Sequence, residues 1–528
     1  MRAICVVGWL AAACASTTGE SSNSPSEGAD VEGAELPGSP QDVEGTNTDS
    51  VDAESRAGSP DTTERTAGDD ATTGGDTQEQ RGELPTGAFV ARTTHVPPCT
   101  LFVDANAAGA ESGEALTPFR SIAAAVDAAE NGAVICVAEG TYTDSVAPGL
   151  KYFTLAGGFQ SGSGFTVRDS AAYVSRAQGS GAGAFFTIRD EGPTEGQLTA
   201  IDGFEITGWS QGVVRNVYYP QRFDLTNNFI HDNTCAEDQP VGGAFLLVNV
   251  SGAVSGNVLA RNRCGRGGGG TLLDGTNSSA LTVSGNWVDA NEGTEPGISH
   301  GGGLYVLAHD VTITGNLFTD NSATGWGGGL YVGADPGQGL DATARLSANV
   351  YRANRAGSGG GFFCDDSATC HATRELYDSN CGGNLYLDGG SHETKPTTGT
   401  FEHLTIYRGL SADCGQPGTG VQIDSANAAK DSYAFKNCLF WGNAQGQDFG
   451  TACQAEACGA AATVTFSNVQ SETMDNGIPV SFGQGNLPGL DPLFVDAAQH
   501  DFRLSPGSPA LGKADDGGDL GAYGGSGR

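Results

Sequence analysis

One pattern constrains this chain more than any other: a six-residue unit bounded by asparagines that returns about every 30 residues. It reads Asn228-Phe-Ile-His-Asp-Asn233, Asn257-Val-Leu-Ala-Arg-Asn262, Asn286-Trp-Val-Asp-Ala-Asn291, Asn316-Leu-Phe-Thr-Asp-Asn321 and Asn349-Val-Tyr-Arg-Ala-Asn354. The leading asparagines are separated by 29, 29, 30 and 33 residues. Degenerate copies follow at Leu376–Asn380, Asn437 and Asn468. A period in this range implies a solenoid, propeller or array. Between the copies, a glycine cluster precedes an apolar run, as in Gly301-Gly-Gly-Leu304-Tyr-Val306 and Gly327-Gly-Gly-Leu330-Tyr-Val332. Before each asparagine, segments such as Leu281-Thr-Val283 and Val311-Thr-Ile313 alternate apolar and polar residues, as half-buried strands do.

Each repeat therefore holds two or three short strands joined by tight turns. Such a unit cannot bury its apolar side chains alone; stacking coils along an axis buries them in one narrow core. A propeller would need about four strands and about 40 residues per repeat. The expected fold is all-β: a right-handed parallel β-helix solenoid with a short N-terminal capping helix, preceded by a disordered acidic linker. Coils are expected over 133–490, after a cap at 96–132 and before a closing segment at 491–528. At roughly 28 residues per coil there should be around 13 coils, rising about 4.8 Å each. In the cap, Pro118 reads as the helix start, Ile122, Ala125, Val126 and Ala129 as its buried face, and Asn131-Gly132 as its stop. Asn257, Asn286, Asn316 and Asn349 fall at one coil position and read as a hydrogen-bonded ladder, because buried amides need partners.

Composition narrows the function. Of 528 residues, 82 are glycine, but without a collagen period. Acids number 62 against 26 bases, a formal charge of −36, which argues against a nucleic-acid partner. Residues 1–13 read as an export signal: Arg2, the apolar stretch Ala3–Leu10, then small residues before Cys14. The segment resembles a bacterial lipoprotein signal, which implies lipidation at Cys14; an ordinary secretory signal is the alternative. From residue 15 to 95 there are 17 acids and 4 bases and almost no aromatics, so 14–95 is expected to be a disordered, self-repelling spacer. The expected address is the bacterial cell envelope, outer membrane or surface, with the membrane reached only through the lipid, or else secretion.

Eleven cysteines lie beyond the signal, and an exported protein can oxidise them. Pairing near neighbours yields Cys99–Cys136, Cys235–Cys264, Cys364–Cys370, Cys381–Cys414 and Cys453–Cys458, with Cys438 left as the free thiol. Spacing alone does not decide connectivity. Cys364, Cys370 and His371 come closest to a zinc set, and a disulfide is the stronger reading.

Phe102-Val-Asp104, Pro118-Phe119 through Ala129, and Val134-Ile-Cys through Gly140-Thr-Tyr142 resemble the opening of bacterial pectate-lyase-like β-helix proteins. Phe318-Thr-Asp-Asn321 with Gly327-Gly-Gly-Leu330 is similar to polymorphic outer-membrane protein repeats. Asp491-Pro-Leu-Phe494, Phe502-Arg-Leu504 and Asp519-Leu-Gly-Ala-Tyr523 resemble the closing segment of surface-anchored β-helix proteins. The resemblance implies a β-helix surface protein and no single activity, because the fold hosts lyases, hydrolases, adhesins and spacers.

The function expected first is binding, adhesion or surface structure with a polysaccharide or protein partner. The alternative is a polysaccharide lyase or glycoside hydrolase, whose candidate groups are Asp365, Asp366 and His300. No resident cofactor is expected; calcium is weighed for a calcium-dependent lyase and at Asp515, Asp516 and Asp519. Arg261, Arg263 and Arg266 form a candidate basic spot, and Trp209, Tyr218 and Tyr219 a candidate sugar platform.

Overall fold

A computed structural model describes residues 93–524 apart from 191–196, 236–240, 275–279, 296–298, 335–341, 366, 390–394, 426–429, 445–447, 454–459 and 473–477, and apart from the side chains of 189–190 and 215–221. The export signal, Cys14, nearly all of the acidic spacer, Asp366, Cys458 and the side chains of Tyr218 and Tyr219 therefore lie outside the described residues. The spacer boundary expected at 95 falls slightly late. Thr93 already exchanges hydrogen bonds with Ser170, and the His95 carbonyl accepts from Arg168 at 3.0 Å.

The architecture is a parallel β-helix. One representative coil runs through Ala280–Ser284 on a first face, Trp287–Asp289 on a second, the short Glu292–Gly293, and Leu304–Leu307 on a third. Each strand pairs in parallel with its equivalents in adjacent coils: Trp287 stands opposite Val258 and Leu317, and Val283 opposite Val254 and Ile313. Among the described residues the second face is a 13-stranded sheet. This agrees with the coil number expected from the repeat length. The first and third faces merge into one 22-stranded sheet, since Gln211–Thr226 and Phe245–Ser255 run through both without a break. Inward residues from all three faces, such as Val311, Ile313, Phe318, Leu330 and Val332, are fully buried in one continuous core.

Two inward turns define each of the regular coils from Asn228 to Asn354. The residue before each asparagine takes a left-handed conformation: Asn227, Gly256, Gly285, Gly315 and Ala348 at the first turn, Asp232, Arg261, Ala290, Asp320 and Ala353 at the second. The asparagine that follows is then aimed into the stack. At the first turn, Asn228, Asn257, Asn286, Asn316 and Asn349 are linked Nδ2 to Oδ1 at 2.9–3.1 Å. Each oxygen also accepts the preceding asparagine's backbone N–H, and each Nδ2 also donates to a carbonyl of the coil before, such as Asn316 to Val283 at 3.0 Å. Every amide hydrogen and both acceptor sites are thereby used. The second turn carries an equivalent ladder, Asn233, Asn262, Asn291, Asn321, Asn354 and Asn380, which ends on Asn384.

The glycine clusters serve the third turn in two ways. Gly301 is left-handed at φ +61°, whereas Gly303 is excluded from bearing a side chain because a Cβ would lie 2.3 Å from the Gly329 carbonyl oxygen.

At the N-terminus a helix, Ile122–Ala128, buries Ile122, Ala125 and Val126 against the first coils. It starts later than expected: Ser121 is the N-cap, accepting from the Ala124 N–H at 3.2 Å, and Pro118 precedes the helix. The cap region also supplies a strand, Leu101–Val103, which pairs with Ala133–Ala138 and so already belongs to the sheet.

In the closing segment, residues 491–524 fold back along the outside of the second face. A two-stranded antiparallel hairpin, Phe494–Asp496 with Asp501–Leu504, packs near Val350, Leu376 and Tyr407, while Ala510, Ala514 and Leu520 cover Leu439.

Four disulfides join Cys99 to Cys136, Cys235 to Cys264, Cys364 to Cys370 and Cys381 to Cys414. The second and fourth link adjacent coils. Cys453 is also disulfide-bonded, and Cys438 is a buried free thiol. Cys438 occupies the first-turn ladder column, its N–H donating to Ser467 Oγ at 3.0 Å, so its slot is a turn position and not the strand interior that its apolar neighbours suggest.

Replacing Asn316 with Ala should strip partners from Asn286 and orphan buried donors, costing about 3 kcal/mol or more. Gly315→Ala, where a Cβ meets nothing within 4 Å and only the left-handed backbone resists, should cost about 1 kcal/mol. Chemical unfolding of the two variants checks this; equal losses would mean that turn strain and not amide pairing limits stability.

Candidate functional site

His300 and Asp365 meet the same tyrosine, but inside packing. On the third face the outward column Tyr305, Tyr331, Phe363 and Tyr386 is stacked coil over coil. His300 lies flat on it: its ring is 4.6 Å from Trp326 at 7° and 4.9 Å from Tyr331 at 22°. At the far end of Tyr331 the hydroxyl donates to Asp365 Oδ2 at 2.5 Å. His300 is 7% exposed and Asp365 6%. Burial, followed by the charge of Arg266, pushes the His300 pKa down to about 3, so the ring is neutral at ordinary pH. Its Nδ1 has no hydrogen-bond partner among the described residues. A histidine that cannot hold a proton and a carboxylate already receiving one from tyrosine do not make an acid–base pair around an open bond. Asp365 is thus packed against the aromatic column.

The calcium candidates separate likewise. Asp515 pairs with Lys436 at 2.6 Å and accepts from Asn437 at 2.8 Å. Asp516 accepts from the Gly518 N–H and faces His403 at 3.4 Å, and Asp519 accepts from the Gly512 N–H. Their oxygens serve three different purposes, two of them fastening the fold-back segment to the coils. Among the described residues no group of three or more His, Cys, Asp or Glu is placed so that it could hold a metal ion.

The basic spot dissolves into ion pairs, each arginine meeting an acid one coil away: Arg261 with Asp232, Arg263 with Glu292 and Arg266 with Glu295, at 2.8–3.0 Å. Trp209 is 5% exposed, donates Nε1 to the Ala177 carbonyl and packs near Phe185, so it is core. His371 bonds Thr400 while the neighbouring cysteines are oxidised, which removes the zinc set.

The second face carries features that these expectations missed. Its outward column, one residue per coil, reads Thr141, Arg176, Glu205, Phe229, Val258, Trp287, Leu317, Val350, Leu376, Thr405 and Leu439. At its N-terminal end lies a cleft of about 410 Å³ lined by Asn106, Glu139, Thr141, Ser161 and Arg176 among others. Beyond the cleft, ions chain across coils: Arg176 forks onto Glu205 at 2.8 and 3.1 Å, Glu205 faces His231 at 3.2 Å, His231 meets Asp232 at 2.6 Å, and Asp232 holds Arg261. Burial alone would lower the His231 pKa, but hydrogen bonds to Asp232 and Glu205 and their charges raise it. The same bonds hold Glu205 below its usual range against its own burial. Phe229, Trp287 and Leu317 remain partly exposed. The sequence signal was present: each is the residue directly after a ladder asparagine.

Strongly perturbed groups are functional candidates, and Glu375 is the clearest. It is fully buried and occupies the next slot of the first ladder, accepting from the Asn349 N–H and Nδ2 at 3.1 Å. Burial pushes its pKa up to about 8, although the Asn349 bonds oppose this. The protonated carboxyl replaces the missing amide, so its role is in the stack and not in chemistry. The unfolded chain gives up this proton near the ordinary value of 4.5. Stability from this site is therefore fully present below pH 4.5 and is lost as pH rises through the window up to about 8. Glu375→Gln should remove that part of the slope. Unfolding midpoints at acid and mildly alkaline pH compare the two; parallel declines would refute the assignment.

Comparison with known families finds a match to a right handed beta helix region over residues 163–338. The match begins after the strands Ala133–Ala138 and Phe153–Phe159 and takes in the asparagine repeats from Asn228 to Asn321, and it supplies the hand of the helix. No curated protein matches the chain.

Proposed function

We propose that this right-handed β-helix protein is an exported, surface-displayed binding protein, held at the bacterial envelope by a lipid on Cys14 and carried off the membrane by the acidic spacer. The reading is non-catalytic. One observation carries it: the acid–base candidates His300 and Asp365 are spent on an aromatic stack, with His300 kept neutral. A partner then has to be met by the outward faces of the coils. The partner class is a polysaccharide or another surface protein. Charge favours one that is not an acidic polymer, because residues 96–528 hold 45 acids against 21 bases.

Two measurements test this. Mass spectrometry of the mature N-terminus should find diacylglycerol on Cys14; an unmodified terminus elsewhere would remove the anchor. Incubation with neutral and acidic polysaccharides, with and without calcium, should leave chain length unchanged. Appearance of unsaturated products or new reducing ends would overturn the non-catalytic reading.

A further inference from the structure

We infer that the outward column of the second face, from the Glu139–Arg176 cleft to Leu317, is a track for an extended, uncharged glycan. The inference rests on the binding reading above and gives it a place and a ligand class. The track runs along the solenoid axis through Thr141, Arg176, Glu205, Phe229, Val258, Trp287 and Leu317, seven coils and so about 29 Å. It has two ends. The cleft of about 410 Å³ lies at one, and the fold-back segment, whose Phe494 and Phe502 pack by Val350, Leu376 and Tyr407, closes the other.

Two aromatic side chains line it. Trp287 donates Nε1 to Thr319 Oγ1 of the next coil at 2.8 Å, which holds the indole down across the sheet. Phe229 lies against the His231 imidazole, with centroids 4.0 Å apart and planes 23° apart. The rings are two coils apart, about 9.6 Å along the axis, and Val258 between them is 3% exposed. Partly exposed apolar rings flanked by hydroxyl-bonding groups suit the C–H face and hydroxyl rim of a pyranose.

The border disfavours an acidic ligand. Arg176 pairs with Glu205 and Arg261 with Asp232, while Glu139 in the cleft and Asp289 on the Trp287 strand add further acids. They offer hydrogen-bonding edges with no surplus of positive charge. A peptide strand is disfavoured because the backbone groups of this sheet are paired to the coils on both sides and leave no edge for strand addition.

The test is titration of the full chain with uncharged linear hexasaccharides (cellohexaose, mannohexaose, xylohexaose and laminarihexaose) and with hexagalacturonate as the acidic counterpart. At least one neutral hexasaccharide should bind, more tightly than hexagalacturonate. Trp287→Ala and Phe229→Ala should each weaken it about tenfold or more, while Thr312→Ala on the first face leaves it unchanged. Trp287→Phe, which keeps a ring, should bind within a few-fold but lose the ligand-induced tryptophan fluorescence change. That variant keeps the test readable if Trp287→Ala does not fold. Binding unaffected by both alanine variants would overturn the track and leave the binding reading standing. Preference for hexagalacturonate, displacement by an extended peptide, or no binding of any neutral hexasaccharide would overturn the glycan assignment.

Discussion

The asparagine ladders are the interaction on which the rest of the structure depends. A parallel coil must turn its backbone inward past an apolar core, and each turn brings polar groups with it. Here one left-handed residue aims the next side chain inside, and that side chain is an amide with two donors and two acceptor sites. Asn286 illustrates the economy: its Nδ2 serves the Val254 carbonyl and Asn316 Oδ1, and its own oxygen serves Asn257 twice. The ladder sets coil register because a slipped coil would orphan both its own amide and its neighbour's. Bulky stacked rings such as Phe318, Tyr351 and Tyr377, at centroid spacings of 4.8–5.0 Å, can then fill the core at one level per coil.

Where the first ladder fails, other devices take over. Its column continues as Glu375, Leu404 and Cys438, and none of these carries an amide; Glu375 accepts from Asn349 through a carboxyl and Cys438 from the Leu404 backbone through a thiol. These are the coils that the fold-back segment covers: Gly521 N–H donates to the Asn437 carbonyl, Ala522 N–H to Thr405 Oγ1, and Asp515 bonds the Asn437 side chain. His500 reaches Asp378 at 2.6 Å, and the Cys381–Cys414 disulfide spans the same stretch. The acidic turn at 515–519 finds its explanation here. It clamps an external strap across coils whose internal amides are missing.

The repeat made the fold legible because its period, its inward amides and its alternating strands all demanded the same architecture. Local propensity was enough for the helix face at Ile122, Ala125 and Val126, though the cap chemistry of Ser121 displaced its start. The fold-back of 491–524 was not legible, since closing the end and covering the flank need the same apolar residues. The site was less readable still. His300 and Asp365 attracted a chemical reading by type, yet their burial follows from the aromatic column across coils, which no local window displays. Phe229, Trp287 and Leu317 were visible only by comparing the position after each ladder asparagine. Residues at that position alternate outward, so their chemistry is unrelated to the core pattern that revealed the repeat.

The ladder also governs what the outer surface can recognise. Because coil spacing is set inside, rings and ion pairs outside are held at multiples of about 4.8 Å. The three faces use this differently. The third buries its aromatic column under His300 and Trp326, and the first exposes short polar residues such as Thr282, Thr400 and Thr463. Among the described residues only the second combines partly exposed rings with a border of ion pairs and a cleft. A surface so fixed spends little conformational entropy on binding, and its fixed pitch selects a linear ligand whose own repeat can match it. A globular partner touching the same column would meet two rings and few other anchors. An extended polymer lying along the axis would meet every coil in turn.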